Sequence, residues 1–259
     1  MECYKCLYLW NPSTGVNKQL HLSPITIAGN DHILKFLYGL AYDLSTDDYL
    51  IVFGSYECDD DYEPVSGNID LEIFSLRANK WKQIKVSSHL PYRIRSDFHL
   101  LSARVGSFLN GAIHWLVYNY ESFKDVIIAF DLKEMKMSEI ALPNDFYVAY
   151  SPVDYDLLVF GGLISVWKVE MSTIKIWMMQ EYAVHSSWTK TFDFSFDPAL
   201  NFFPVCFTNR GDIVGPDAGS GLAKLNDKGQ LQEYYVVKTS RMTVYTESLL
   251  SLPDDTKQA

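Results

Sequence analysis

One pattern recurs along this chain: a short apolar stretch ending in an aromatic, a polar turn, then a basic or polar approach to another apolar residue. It is legible at Leu7 to Leu20 (LYLWNPSTGVNKQL), Leu71 to Ile84 (LEIFSLRANKWKQI) and Ile127 to Ile140 (IIAFDLKEMKMSEI), and more weakly at Ile164 to Trp177 (ISVWKVEMSTIKIW). Recurrence at long intervals is the mark of a repeat architecture, in which each unit buries its apolar face against the next. The aligned aromatics Trp10, Phe74, Phe130 and Trp167 stand 64, 56 and 37 residues apart. Those intervals bracket the length of a four-stranded propeller blade and disfavour a solenoid of fixed period. The expected fold is all-β, a kelch-like β-propeller of about five to six blades.

Local signals agree. Tyr49 to Gly54 (YLIVFG), Ile113 to Tyr118, Val126 to Phe130, Leu157 to Phe160 and Tyr234 to Val237 are short β-branched or aromatic runs near turn residues, hence strands. Asn110-Gly111 lies between two such runs and predicts a tight hairpin, because both central positions of that turn take positive φ. Lys133 to Glu139 is rich in helix formers, yet it occupies the turn position that Pro12 to Val16 and Arg77 to Lys80 occupy in the sister repeats, so a turn is expected. Gly211 to Gly221 (GDIVGPDAGSG) lacks the Gly-Lys-Ser/Thr ending of a phosphate loop and is expected to form turns between outer strands. Trp10, Trp81, Trp167 and Trp177 are expected to stack between blades, and of His114 and Trp115 one is expected in the core and the other in interblade packing.

With 259 residues, 48% of them hydrophobic and 15% aromatic, the chain can bury a large core. No linker of distinct composition divides it. A single domain over residues 1–252 with a disordered tail at 253–259 is expected. The net charge of −10 argues against nucleic acid or an anionic membrane surface, and a basic protein partner fits it better. No run is long enough to span a bilayer, and the first ten residues lack the basic start and apolar segment of a signal peptide, so a cytoplasmic or nuclear location is expected.

Chemistry is sparse. Cys3 and Cys6 form a C-x-x-C, but no second C-x-x-C or paired His follows at zinc-finger spacing, and four cysteines are too few for a disulfide scaffold. The acidic run Glu57 to Glu63 lacks the spacing and central Gly of a calcium loop. No Gly-x-Ser-x-Gly occurs and the six His show no metal-ligand pairing. No catalytic residue, metal or cofactor is assigned. Function is expected in the loops instead, where Tyr56 to Val65, Leu90 to Asp97, Tyr118 to Lys124 and Asn144 to Tyr155 are longer or more aromatic than tight turns demand. The candidate anchors for a protein partner are Tyr56, Tyr62, Tyr92, Tyr118, Tyr120, Phe146 and Tyr147.

Seven blocks in order carry a family resemblance: LWNPSTG (Leu9 to Gly15), GLAYDLSTDDYLIV (Gly39 to Val52), IFSLRANKW (Ile73 to Trp81), LNGAIHWL (Leu109 to Leu116), AFDLKEMKMSEIALP (Ala129 to Pro143), IWMMQEYAVHSSWTK (Ile176 to Lys190) and VYTESLLSL (Val244 to Leu252). Over nearly its whole length the chain resembles the plant F-box associated domain of F-box/kelch-repeat proteins, including the S-locus F-box group. The resemblance implies a substrate-recognition module of an SCF-type ubiquitin ligase, which captures a protein substrate and performs no chemistry itself. In that family an F-box, which docks the Skp-type adaptor and through it the cullin, and the first strands of the propeller precede the LWNPST block. Met1 to Leu7 (MECYKCL) is then expected to be the remnant of a truncated first blade, with adaptor and cullin binding only if an F-box is supplied upstream. The alternatives are a stand-alone kelch-like scaffold or a non-functional gene fragment; a copper-binding propeller enzyme is a third class, with no assignable ligands.

Overall fold

The computed structural model describes residues 7–21, 33–58, 69–84, 91–93, 103–147, 154–217 and 221–237, and these are built almost entirely of strands. A two-stranded ribbon, β1 (Leu7–Trp10) with β2 (Asn17–Leu20), comes first. The first sheet follows as a meander of β3 (Ile33–Asp43), β4 (Asp48–Cys58), β5 (Asp70–Ser75) and β6 (Lys80–Ile84). After β7 (Tyr92–Arg93), β8 (Ala103–Val105) returns to the first sheet and pairs parallel to β3. The second sheet joins β7 and β9 (Ser107–Leu109) to β10 (Ala112–Asn119), then β11 (Lys124–Asp131) and β12 (Lys136–Ala141). The third sheet is the meander β13 (Asp154–Phe160), β14 (Leu163–Glu170), β15 (Thr173–Met179) and β16 (Trp188–Ser195), with the 3-10 turn η1 (His185–Ser187) ahead of β16. The fourth is β17 (Cys206–Phe207), β18 (Ile213–Asp217), β19 (Gly221–Leu225) and β20 (Leu231–Val236).

The described residues thus form four blade-like sheets and a ribbon, against the five to six blades expected. The long early intervals are absorbed inside sheets: β3 and β4 run eleven residues each, and β7 to β9 join existing sheets instead of founding another. The chain divides into two compact units, one holding β1 to β10 and the other β13 to β20, with β11 and β12 contributing residues to both. The C-x-x-C, the acidic run at residues 59–63, Tyr62, Val244 to Leu252 and the tail at 253–259 lie outside the described residues.

The recurring sequence pattern has a physical basis in its turns. Where the apolar strand ends, an Asn or Asp accepts hydrogen bonds from backbone N–H groups two and three residues on: Asn11 from Ser13 and Thr14 (2.9 and 3.4 Å), Asn119 from Glu121 and Ser122 (both 3.0 Å), and Asp131 from Lys133 and Glu134 (2.8 and 2.7 Å). Asp43 and Asn226 open their turns in the same way. Such Asx turns give the backbone a local partner that competes with helix, which is why Leu132 to Met135 turns despite its helix formers. Each turn closes on a residue with positive φ, among them Gly15 (72°), Phe123 (56°) and Met135 (52°), the geometry of a type I turn followed by a left-handed residue. At the expected hairpin, Asn110 (51°) and Gly111 (78°) both take positive φ between β9 and β10.

In the first unit, Leu20, Ile51, Phe74 and Leu76 form a core against which Leu7, Leu9, Tyr49 and Trp81 pack. Every residue of β10 is buried, His114 and Asn119 included, so the strand shows no alternation of buried and exposed positions. Trp115 donates its indole N–H to the Tyr38 carbonyl (2.7 Å), and His114 Nδ1 meets the Ser107 carbonyl at 3.1 Å while burial pulls its pKa below the usual value. Both are packing residues, as expected. Trp10 differs: it points to solvent from β1, because Leu7 and Leu9 take the core-facing positions of that strand.

In the second unit, Trp167, Ile174, Ile176, Phe202, Ile213, Ala223 and Leu225 are buried together between the third and fourth sheets. Gly211 to Gly221 contains β18 and is not a run of turns. Gly215 stands where the Phe203 carbonyl approaches too closely to admit a Cβ, so this glycine serves a close strand approach.

Candidate functional site

The third sheet carries an open cleft of about 420 Å³, lined by Pro143, Asn144, Asp145, Trp177, His185, Ser186, Trp188 and Lys190. Its origin is a β-bulge: the register of β15 against β16 shifts between Ile176 and Trp177, so Ile176 faces Phe192 while Trp177 faces Lys190. A bulge re-aims a side chain at the point where pairing slips. Here it supports Trp177 as the buried floor of the cleft, 2% exposed.

The segment after β12 is clamped onto that floor. Trp177 donates its indole N–H to Asp145 Oδ1 (2.8 Å), Phe146 packs edge-on against the indole with ring centres 5.3 Å apart, and Lys168 Nζ donates to the Tyr147 carbonyl (3.0 Å). Lys168 is itself buried, held by Glu170 at 2.7 Å and lying 5.8 Å from the Trp177 ring centre. On the opposite wall Lys190 pairs with Asp145 (3.2 Å) and Asp193 (3.5 Å) and sits 5.6 Å from the Trp177 ring centre. The third side is η1, pinned by Ser187, whose hydroxyl bonds the Glu181 N–H (3.0 Å) and carbonyl (2.9 Å). The Trp188 indole N–H donates to the Ala141 carbonyl at 3.0 Å, leaving one flank of the ring half-exposed.

Electrostatically the cleft holds a closed ion pair. Burial would raise the Asp145 pKa, but hydrogen bonds from Lys190 and Trp177 and the Lys190 charge outweigh it, leaving the carboxyl below its usual value. The hydrogen bond to Asp145 in turn raises Lys190. His185 spends Nε2 on the Leu142 carbonyl (3.0 Å), and Asp145 is committed to Trp177 and Lys190, so this His, Ser and Asp are not arranged as a proton relay. Aromatic flanks and a fixed Lys–Asp pair suit the cleft to holding another polypeptide.

The candidate anchors divide by unit. In the first, Tyr92 and Tyr118 are brought together where β7 meets β10, but both are buried and belong to the core; the Tyr120 N–H donates to the Pro91 carbonyl (2.9 Å) and its side chain is half-buried. Tyr56 lies in β4 opposite Lys35. In the second unit, Phe146 is buried against Trp177 and Tyr155, a correction to its reading as an anchor, whereas Tyr147 is 69% exposed beside the clamped segment. Sequence reasoning missed Asp145, His185, Trp188 and Lys190, although three of these lie in the IWMMQEYAVHSSWTK block.

The sequence profile described as the F-box associated beta propeller domain matches residues 1–243. The chain belongs to that family. Among curated proteins, this F-box associated domain is 29% identical to F-box protein CPR1 of Arabidopsis thaliana over 194 residues, covering 72% of the chain and 47% of that protein. It is 26% identical to the Arabidopsis F-box protein At4g22390 over 193 residues, with the same coverages. A third relative, the Arabidopsis F-box/kelch-repeat protein At3g23880, is 25% identical over 224 residues, 86% of the chain and 56% of the relative. The chain spans about half the length of the curated relatives it matches. The family is not an enzymatic one, and every residue lining the cleft lies within the matched span. Among the described residues no helix is long and apolar enough to cross a membrane, and no group of three His, Cys, Asp or Glu is placed to hold a metal ion.

Proposed function

We propose that this F-box associated domain captures a protein substrate for an SCF-type ubiquitin ligase in the cytoplasm or nucleus, with the cleft at Asp145, Trp177, Trp188 and Lys190 and the adjoining Tyr147 as its contact surface. The family match over residues 1–243 carries the class of function; the exposed aromatics beside a pre-formed cleft support its place on the molecule. The Skp-type adaptor and cullin are engaged through an F-box, so they join only where one is supplied.

Rigid anchoring matters here. Lys168 holds the Tyr147 carbonyl and the Ala141 carbonyl accepts from the Trp188 indole N–H, so a partner has less to order on binding. Affinity chromatography of a plant extract on the full chain, beside Tyr147→Ala and Trp188→Ala, tests this. Proteins that accumulate when the gene is silenced should be retained by the native chain and weakened about tenfold or more by each substitution, the usual effect of removing a central aromatic anchor. Retention of the same proteins by both variants at native strength refutes the cleft as the capture surface.

A further inference from the structure

The last strand of each sheet offers a comparison internal to this molecule. β6, β12, β16 and β20 each end a four-strand meander and, among the described residues, pair on one side only. Exposed strand edges recruit other strands unless they are blunted, most often by lysine. β6 carries Lys80 and Lys82, β12 carries Lys136 and β16 carries Lys190. β20 (LQEYYV) carries none, and it is exposed at all six positions where the other three each keep buried or half-buried members.

Its two faces are chemically distinct. Tyr234 and Val236 stand opposite Ala223 and Gly221, and Leu231 opposite Leu225, on the face that continues the buried core of Ile213, Ala223 and Leu225. Among the described residues nothing covers that continuation: Val236 is 80% exposed. The other face carries Glu233 and Tyr235 beside Lys224 and Leu222. There the Tyr235 hydroxyl donates to Glu233 Oε2 (2.7 Å) and Lys224 Nζ to Oε1 (2.6 Å), while on the core side the Tyr234 hydroxyl donates to Asp217 (2.8 Å). These bonds fix the rings before any partner arrives, and they leave the acidic groups at the surface.

We propose that β20 is a docking edge for an extended segment of a partner protein in which apolar residues alternate with Lys or Arg, added as a fifth strand to the fourth sheet. Added-strand binding draws affinity from main-chain hydrogen bonds and selectivity from alternate side chains. The apolar residues of the added strand extend the core face beside Leu231, Tyr234 and Val236. Its cations lie beside Glu233, on a chain whose net charge of −10 attracts them. A second copy of this chain is the poorer occupant, since it brings the same −10 and a β20 without a single basic residue. This contact is separate from the cleft and adds to the capture proposed above.

The test uses the full chain and fluorescein-labelled, end-blocked octapeptides. The probe alternates Val and Lys; one control has the same composition in blocks of four, another alternates Val and Glu. Anisotropy should show the alternating Val/Lys peptide binding at least about tenfold more tightly than either control, with slowed amide exchange confined to β20. Val236→Lys and Glu233→Lys should each weaken it about tenfold, and Trp188→Ala should leave it unchanged. Equal binding of the blocked and alternating Val/Lys peptides overturns the proposal, as does protection outside β20 or indifference to both β20 substitutions. Self-association of the native chain abolished by Val236→Lys overturns it in favour of a second copy. Failure here leaves the Trp188 retention assay to judge the cleft separately.

Discussion

Replacing Trp177 by Phe probes the floor of the cleft. The side chain is 2% exposed, donates to Asp145 and touches Phe146, so the substitution removes packing and a hydrogen bond together. Losing roughly 35 Å³ of ring from a site that cannot collapse leaves a cavity worth about 0.8 kcal/mol at about 24 cal/mol per Å³. Lost transfer of the missing apolar atoms adds about 1 kcal/mol. The hydrogen bond to a carboxylate adds about 1 kcal/mol, below the usual range for a charged acceptor because the Asp145 side chain is 56% exposed and rehydrates. The total is about 3 kcal/mol. With a urea m-value of about 3 kcal/mol/M, the midpoint should fall by about 1 M when unfolding is followed by far-UV circular dichroism. A double-mutant cycle with Asp145→Ala should recover a coupling of about 1 kcal/mol. A midpoint shift below about 0.3 M, or no coupling to Asp145, would refute the clamped floor.

Other expectations follow from the same contacts. Gly215→Ala forces a Cβ into the Phe203 carbonyl and should cost about 2 kcal/mol or more, seen as a lower Tm and as loss of amide protection along β18. Gly111→Ala, at φ 78° with open space around it, should cost only the left-handed backbone penalty of about 1 kcal/mol, so its Tm should lie above that of Gly215→Ala. Asp145 has a folded pKa below its unfolded value, so its stabilisation is complete above the ordinary carboxylate pKa of about 4 and disappears as pH falls through the folded value. Asp145→Asn should therefore flatten the fall in Tm below about pH 4; an unchanged acid profile would show that the pair does not form.

The repeat was legible because several of its turns need the same local chemistry. Asn11, Asp43, Asn119, Asp131 and Asn226 cap their own turns, and that requirement leaves a mark in sequence whatever the rest of the fold does. Asn110-Gly111 was legible for the same reason. Burial was less so. Tyr92, Tyr118 and Phe146 resemble surface tyrosines and loop aromatics in sequence, yet Tyr118 lies in β10, buried at all eight positions, Tyr92 lies in β7 beside it, and Phe146 packs against Trp177 and Tyr155. Gly215 looked like a turn residue because sequence does not reveal which carbonyl will lie against it. The cleft was hidden further still: it depends on a one-residue slip between β15 and β16, and no residue type announces a bulge. The blocks that build it were visible as family blocks, but their convergence on Trp177 was not.

Capture of a protein through the cleft is tested most directly by replacing Tyr147 with a photo-crosslinking phenylalanine analogue in the full chain and irradiating it in a plant extract, with and without Trp188→Ala. The account predicts one or a few crosslinked proteins that vanish with Trp188→Ala and rise in abundance when the gene is silenced. Crosslinks that persist unchanged in the Trp188→Ala chain, to proteins whose abundance ignores the gene, would contradict it.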